Sequence, residues 1–321
     1  MSLRDRLRGS GSADRRLVLV VGIGRSGTSV FTSALSRFGF AVPQPEVQAD
    51  PTNPRGFGEP QWVVDFHSGL LSRLRISNFD GRPDAWEQTA ALASDSGLVG
   101  ELRTWIGGEL EAAPRIIVKD PRTAWMLPLW LRAADDLDLD VDFVTLLRHP
   151  AQVVASAKRW YGEARHEASR IAGWANVMLH TERESRDHRR VFVGYDALMR
   201  DWRTELGRVD ATLGLGLDLH APEAVAAVDA FIDPSLHRER VGWDDVEVPA
   251  SLRAVADGCW TALTALATSS PTAPDVLDAL WQDYLRLYRD SELIAQWSIV
   301  AARAGRRGAG KAGKGGKGAP R

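Results

Sequence analysis

The chain has 321 residues, 44% of them hydrophobic and 26% charged, with a formal net charge of −2. These values are ordinary for a globular protein and give no overall bias towards nucleic acid. The longest apolar runs fall well short of a membrane span, no apolar segment of the signal-peptide kind follows the charged N-terminus, and a single cysteine, Cys259, leaves no intrachain disulfide or cysteine-based metal cluster and points to a reducing, cytoplasmic setting.

In chain order, residues 1–15 read as a flexible lead-in, 16–304 as one α/β domain and 305–321 as a disordered basic Gly/Lys tail. Leu17 to Val21 make a short buried strand. A turn with Gly22, Gly24 and Gly27 follows, then Val30, Phe31, Ala34, Leu35 and Phe38 at helical spacing. Phe40 to Val42 reads as the start of a second short strand. Pro43 to Pro60 is a long loop rich in Pro, Gly, Asn and Asp. Helical spacing returns over Gln61 to Leu74, and again in a stretch ending near Leu110. Arg115 to Val118 is a strand that stops at Lys119-Asp120-Pro121-Arg122, with a helix or turn over Thr123 to Ala134. Val141 to Leu147 is a third strand, ending in Arg148-His149-Pro150 before a helix with Val153, Val154, Ala157 and Trp160. An amphipathic helix covers Ala168 to Arg186. Val191 to Val193 is a fourth strand, followed by Tyr195-Asp196 and a helical C-terminal part. Strands alternating with helices predict a parallel sheet covered on both faces, with ligands outside the carboxyl ends of its strands.

The strand, glycine turn and helix around Gly22 to Ser29 present backbone N–H groups and a helix N-terminus to a phosphate. An NTPase loop of the GxxxxGK[ST] form would hold lysine where this chain has Thr28; the cation sits instead at Arg25. Arg148, ending a strand, and Ser156, about two turns into the next helix, offer a guanidinium fork and a hydroxyl for a terminal phosphate. The body of the chain has only two lysines, Lys119 and Lys158. Lys119 can neutralise charge on a leaving oxygen. Twelve tryptophans are many for this length, and most are expected in packing.

These motifs resemble those of the sulfotransferases that use 3′-phosphoadenosine-5′-phosphosulfate (PAPS), over roughly Arg16 to Arg240. Arg25-Ser26-Gly27-Thr28-Ser29 resembles the family's 5′-phosphosulfate loop, in the arginine version common in bacterial members. FVTLLRHPAQVVASAKRW resembles the segment that binds the 3′-phosphate, which implies Arg148 and Ser156. Lys119-Asp120-Pro121 resembles a tyrosylprotein-branch motif whose lysine sits beside the transferring group. Asn53 to Glu59 resembles the NPxGFxE segment of bacterial members, which implies Glu59 as the general base, with His67 as the competitor. The segment from Phe231 to Arg240 resembles the family's late loop, which implies Arg238 or Arg240 closing over the nucleotide, although the GxxGxWK ending of cytosolic members is absent.

The resemblance implies a P-loop-like sulfotransferase fold, a parallel sheet flanked by helices. It implies transfer of a sulfuryl group from PAPS to a hydroxyl or amine on a carbohydrate, glycolipid, phenol or small metabolite, with 3′-phosphoadenosine-5′-phosphate (PAP) as product. Catalytic roles fall to Glu59, Lys119 and Arg25, and donor binding to Arg25, Ser26, Gly27, Thr28, Ser29, Arg148, Ser156 and Arg238, with no metal and no nucleic-acid partner. Two rivals stand beside it. In one, Asp120 is the magnesium-site carboxylate of an ATP-dependent kinase. In the other, the fold is a scaffold for a non-catalytic, basic-tailed protein that binds membrane or nucleic acid. The tail carries Arg303, Arg306, Arg307, Lys311, Lys314, Lys317 and Arg321 and no acid, which suggests peripheral contact with anionic lipid at the inner membrane face.

Overall fold

Alternate residues of the first strand feed two different cores. In β1 (Arg16–Val21), Leu17, Leu19 and Val21 join one hydrophobic cluster, while Val18 and Val20 join another. A strand buried on both faces belongs inside a parallel sheet whose crossover helices cover it twice. The structure, a computed structural model, describes residues 15–51, 53, 55–162, 166–232, 241–268 and 274–312, without the side chains of 161, 299 and 301–312.

The elements after β1 are α1 (Thr28–Ser36), α2 (Gln61–Leu74), α3 (Ala85–Ala90), α4 (Ser96–Ala112), β2 (Arg115–Lys119), α5 (Leu127–Asp135), β3 (Val141–Leu147) and α6 (Pro150–Tyr161). They continue with α7 (Glu167–Glu184), β4 (Arg189–Gly194), α8 (Tyr195–Arg200), α9 (Trp202–Leu213), α10 (Pro222–Phe231), α11 (Ala250–Ala267) and α12 (Pro274–Ala312). All strand pairings are parallel, in the order β2-β1-β3-β4. Helices α1, α8, α9 and α10 cover one face; the other is covered by α2 to α7 and by α11 with the first part of α12. The strand order matters for function. After β1 the chain goes to β2 on one side, then returns to β3 on the other. The carboxyl end of β1 is therefore a switch point, where the outgoing loops diverge and leave a crevice.

The expected strand at Phe40 to Val42 is a single bridge, Ala41 to Ile116. Pro43 follows at once and has no N–H to extend a ladder. The expected element over Thr123 to Ala134 divides into a 3-10 turn, Pro121–Met126, and then α5. Asp120 starts that turn, its carboxylate accepting from the Arg122 N–H.

An aromatic ladder runs through the larger core. Trp125 stacks on Trp86 at 4.2 Å, Trp86 on His180 at 4.1 Å, and His180 meets the edge of Trp281 at 4.4 Å. Burial, with Arg183 nearby, lowers the His180 pKa to about 2. Its Nε2 has no hydrogen-bond partner among the described residues.

Helix α12 buries Leu277 and Tyr284 against the body and continues to Ala312, so the expected tail boundary at 305 falls inside a continuous helix. Residues 313–321 lie outside the described residues, as do 1–14. No helix among the described residues is long and apolar enough to cross a membrane.

Candidate active site

The turn after β1 is shaped by what lies on either side of it. Gly22 has φ 128°, and a Cβ there would lie 2.8 Å from the Leu146 carbonyl oxygen of the neighbouring strand. Gly27, with φ 92°, is the N-cap of α1, and a Cβ there would overlap the Tyr195 ring. Both positions need glycine for conformation and for space. Arg25 also takes a left-handed backbone, φ 75°. A non-glycine residue in that region carries strain, and such residues concentrate at functional sites.

Arg25 is held by both parts of the second predicted motif. Its Nε donates to Ser156 Oγ at 3.1 Å. Its carbonyl accepts from Arg148 Nη1 at 3.0 Å. Arg148 also donates from Nε to Gln152 Oε1 at 3.2 Å, and its guanidinium lies over the Tyr195 ring at 4.5 Å. The two sequence motifs, more than a hundred residues apart, thus meet in one place.

The other side of the cleft centres on Lys119, at the carboxyl end of β2. Its ammonium donates to Glu59 Oε1 at 2.5 Å, to Ser29 Oγ at 3.0 Å and to the Phe57 carbonyl at 3.0 Å. All three ammonium protons are therefore used. Ser29 Oγ also accepts from Asn53 Nδ2 at 3.3 Å, which leaves its own proton available to a ligand. Both members of the ion pair are buried. Burial raises the Glu59 pKa above the usual glutamate range, and Lys119 opposes that rise without cancelling it.

His67 is in a different position. It is fully buried in α2. Its Nδ1 is 2.8 Å from Asp120 Oδ2, and its Nε2 accepts from Trp130 Nε1 at 2.9 Å. An indole N–H only donates, so Nε2 keeps its lone pair and the proton sits on Nδ1, bonded to Asp120. No lone pair of the ring is left for an incoming proton. The other Asp120 oxygen accepts from the Arg122 N–H at 3.2 Å and from Arg122 Nη1 at 2.7 Å. Burial pushes the Asp120 pKa up, but the His67 and Arg122 bonds outweigh it and hold the carboxyl below its ordinary value. Asp120 is thus committed to protein donors on both oxygens, which fits a residue that orients its neighbours better than a magnesium ligand.

A cleft of about 380 Å³ joins these groups, lined among others by Arg25, Thr28, Ser29, Glu59, Lys119 and Arg148. Of the predicted residues, Ser26 points elsewhere: it is fully buried, and its Oγ has no partner among the described residues. Its backbone belongs to the loop. Ser156 reaches the site through Arg25. Arg238, with Arg240, lies outside the described residues. The sequence reading missed Tyr195 as a site residue. The signal was present, because Tyr195 directly follows the fourth strand, at the same edge of the sheet as the other motifs. Asn78 and Asp50 also line the cleft, from loops with no motif to mark them.

A family model described as "Sulfotransferase family" matches residues 18–218. That span holds both anchors and the Lys119–Glu59 pair. The chain belongs to the sulfotransferase family. Solved structures similar to this sulfotransferase include the sulfotransferase domain of the Synechococcus PCC 7002 olefin synthase, 17% identical, covering 78% of this chain and 94% of that one, with a TM-score of 0.46. Another is the sulfotransferase domain from the curacin biosynthetic pathway, 15% identical, covering 81% and 99%, also with a TM-score of 0.46. No curated protein matches the chain. The parallel sheet with helices on both faces is the fold that the motifs predicted.

Proposed function

We propose that this sulfotransferase takes its sulfuryl group from PAPS and passes it to a hydroxyl or amine acceptor. The observation that carries the reading is the convergence of Arg25, Arg148 and Ser156 with the buried Lys119–Glu59 pair around one cleft at the switch point of the sheet. The donor carries charge at both ends. The loop from Arg25 to Ser29 and the α1 N-terminus suit the 5′-phosphosulfate. Arg148 and Ser156 suit the 3′-phosphate.

In the proposed reaction the acceptor oxygen or nitrogen attacks sulfur, and the bond from sulfur to the 5′-phosphate oxygen breaks. The acceptor proton passes to Glu59, whose raised pKa suits a base working closer to neutrality. PAP leaves with its new charge facing Lys119. Lys119 must give up one of its three protein bonds to serve that oxygen. Proton arrival on Glu59 neutralises the carboxylate and loosens that bond at the moment it is needed. Fixed cations can stabilise the transferring group because a sulfuryl group carries less charge than a phosphoryl group. The acceptor is a small-molecule or glycolipid hydroxyl or amine that fits beside Glu59, and specificity lies in segments such as residues 43–60 and 77–89.

Thermal unfolding with PAP, and separately with ATP and magnesium, tests the donor. A ligand at a hundred times its Kd stabilises by about 2.7 kcal/mol, a visible melting shift. The expected result is a shift with PAP that disappears in Arg148→Ala. A shift with ATP and magnesium alone would overturn the reading in favour of a kinase.

A further inference from the structure

Helix α12 runs for 39 residues, and its two halves have different surroundings. The first half packs on the body through Leu277, Leu280, Trp281, Tyr284 and Leu287. Beyond it, large apolar side chains face outwards. Leu293 is 61% exposed, Ile294 85%, Trp297 83% and Val300 48%. Their spacing places all four on one stripe of the helix. In the sequence that follows, positions 303, 306 and 307 are all arginine. From 301 to the end the sequence has seven cations and no acid. At 1.5 Å per residue, the part from 293 to 312 is about 30 Å long.

An exposed tryptophan with three exposed aliphatic neighbours is costly in water and calls for a covering surface. Three occupants fit a bare helix face, and charge separates them. A second copy of α12 in parallel would cover the apolar stripe but set the cations of one helix against those of the other, and in antiparallel it would set them against only Asp283, Asp290 and Glu292. Nucleic acid would take the cations and leave Leu293, Ile294 and Trp297 wet. An anionic lipid surface accepts both: apolar side chains enter at the headgroup level while the basic residues meet lipid phosphates.

We propose that the distal half of α12 lies on an anionic membrane surface. The inference does not depend on the donor or the reaction. It differs from simple electrostatic attraction of a tail, because the apolar stripe supplies part of the binding and fixes how the helix lies.

The test is co-sedimentation of the full chain with vesicles of pure phosphatidylcholine, and with vesicles in which roughly a third of the lipid is phosphatidylglycerol. Two variants of the full chain accompany it: Ile294→Glu with Trp297→Glu, and Arg303→Gln with Arg306→Gln and Arg307→Gln. Ile294 and Trp297 are exposed, and all five positions follow Leu287, the last described α12 side chain packed on the core, so melting temperatures should match the parent and certify folding. The expected result is binding to anionic vesicles about tenfold or more above neutral ones, reduced about tenfold or more by either variant. Equal binding to both vesicle types overturns the proposal. So does a glutamate variant that binds as tightly as the parent, which would reduce the effect to charge alone. Self-association of the parent, abolished by the glutamate variant without vesicle binding, would assign the stripe to a second copy instead.

Discussion

Lys119 and Glu59 hold each other at 2.5 Å inside the protein, so the proposed base and the proposed leaving-group cation are one ion pair before any ligand arrives. Glu59→Gln keeps a partner for the ammonium but removes the base. Turnover should fall by about a hundredfold or more, while the PAP-induced melting shift stays close to the parent's. Unchanged turnover would remove Glu59 from the role.

The same carboxyl sets a pH expectation. Burial raises the Glu59 pKa, so the base becomes protonated, and inactive, at a higher pH than an ordinary glutamate. The acid limb of kcat should lie above the usual carboxylate range, and no such limb should remain in the residual rate of Glu59→Gln. A limb at the ordinary glutamate position would contradict the assignment.

His67 gives the contrasting case. Its two nitrogens are spent on Asp120 and Trp130. His67→Ala should therefore cost stability, about 2–4 kcal/mol from the cavity and the orphaned partners. Below its melting temperature, kcat should fall by less than about tenfold, short of the loss of a general base. Denaturant unfolding and initial rates measure the two effects separately, and a large kcat loss in a fully folded variant would restore His67 as a candidate.

Gly27→Ala should destabilise the loop by two routes, the left-handed backbone and the overlap with Tyr195. Together they amount to about 2–4 kcal/mol. Adding Tyr195→Ala makes room for the methyl group but leaves the backbone cost, so the double variant should show a coupling energy favouring the pair. Strictly additive denaturation energies would mean the ring is not what excludes a side chain there.

His180 predicts acid sensitivity of the fold. Burial brings its folded pKa to about 2, below the ordinary histidine value of 6.5. The folded state binds fewer protons than the unfolded chain between those values, so the contribution is intact above pH 6.5 and is lost as pH falls. At pH 4.5 the loss should be about 2–3 kcal/mol. His180→Phe keeps the ring against Trp86 and should flatten this part of the stability profile. A profile unchanged by the substitution would place the acid sensitivity elsewhere.

Much of this was legible in the sequence because the motifs sit at strand ends. Strand and turn patterns gave β1, β2 and β3 to within a residue and the middle of β4, and a parallel sheet gathers its strand ends by geometry. What stayed hidden was what each side chain does once gathered. Nothing in the order of residues says that Trp130 would donate to His67 and remove it from contention, or that Ser26 would turn its hydroxyl into the interior. Those outcomes depend on burial from helices distant in sequence. Position 195 was readable as a strand-end residue, but its role as the surface shared by Gly27 and Arg148 needed the packing of α8. The length of α12 was not legible either, because the glycines at 305, 308 and 310 argue for a tail by propensity alone.

Arg148 donates to the carbonyl of Arg25, and the Arg25 side chain returns to Ser156 on the helix that Arg148 precedes. The two ends of the proposed donor site are therefore tied in a closed loop of contacts. A nucleotide that engages one end alone meets a surface whose shape is maintained by the other, and its affinity should not be half of the whole. Selection against common nucleotides lacking a 3′-phosphate would then come from this mutual bracing as much as from any contact that they fail to make.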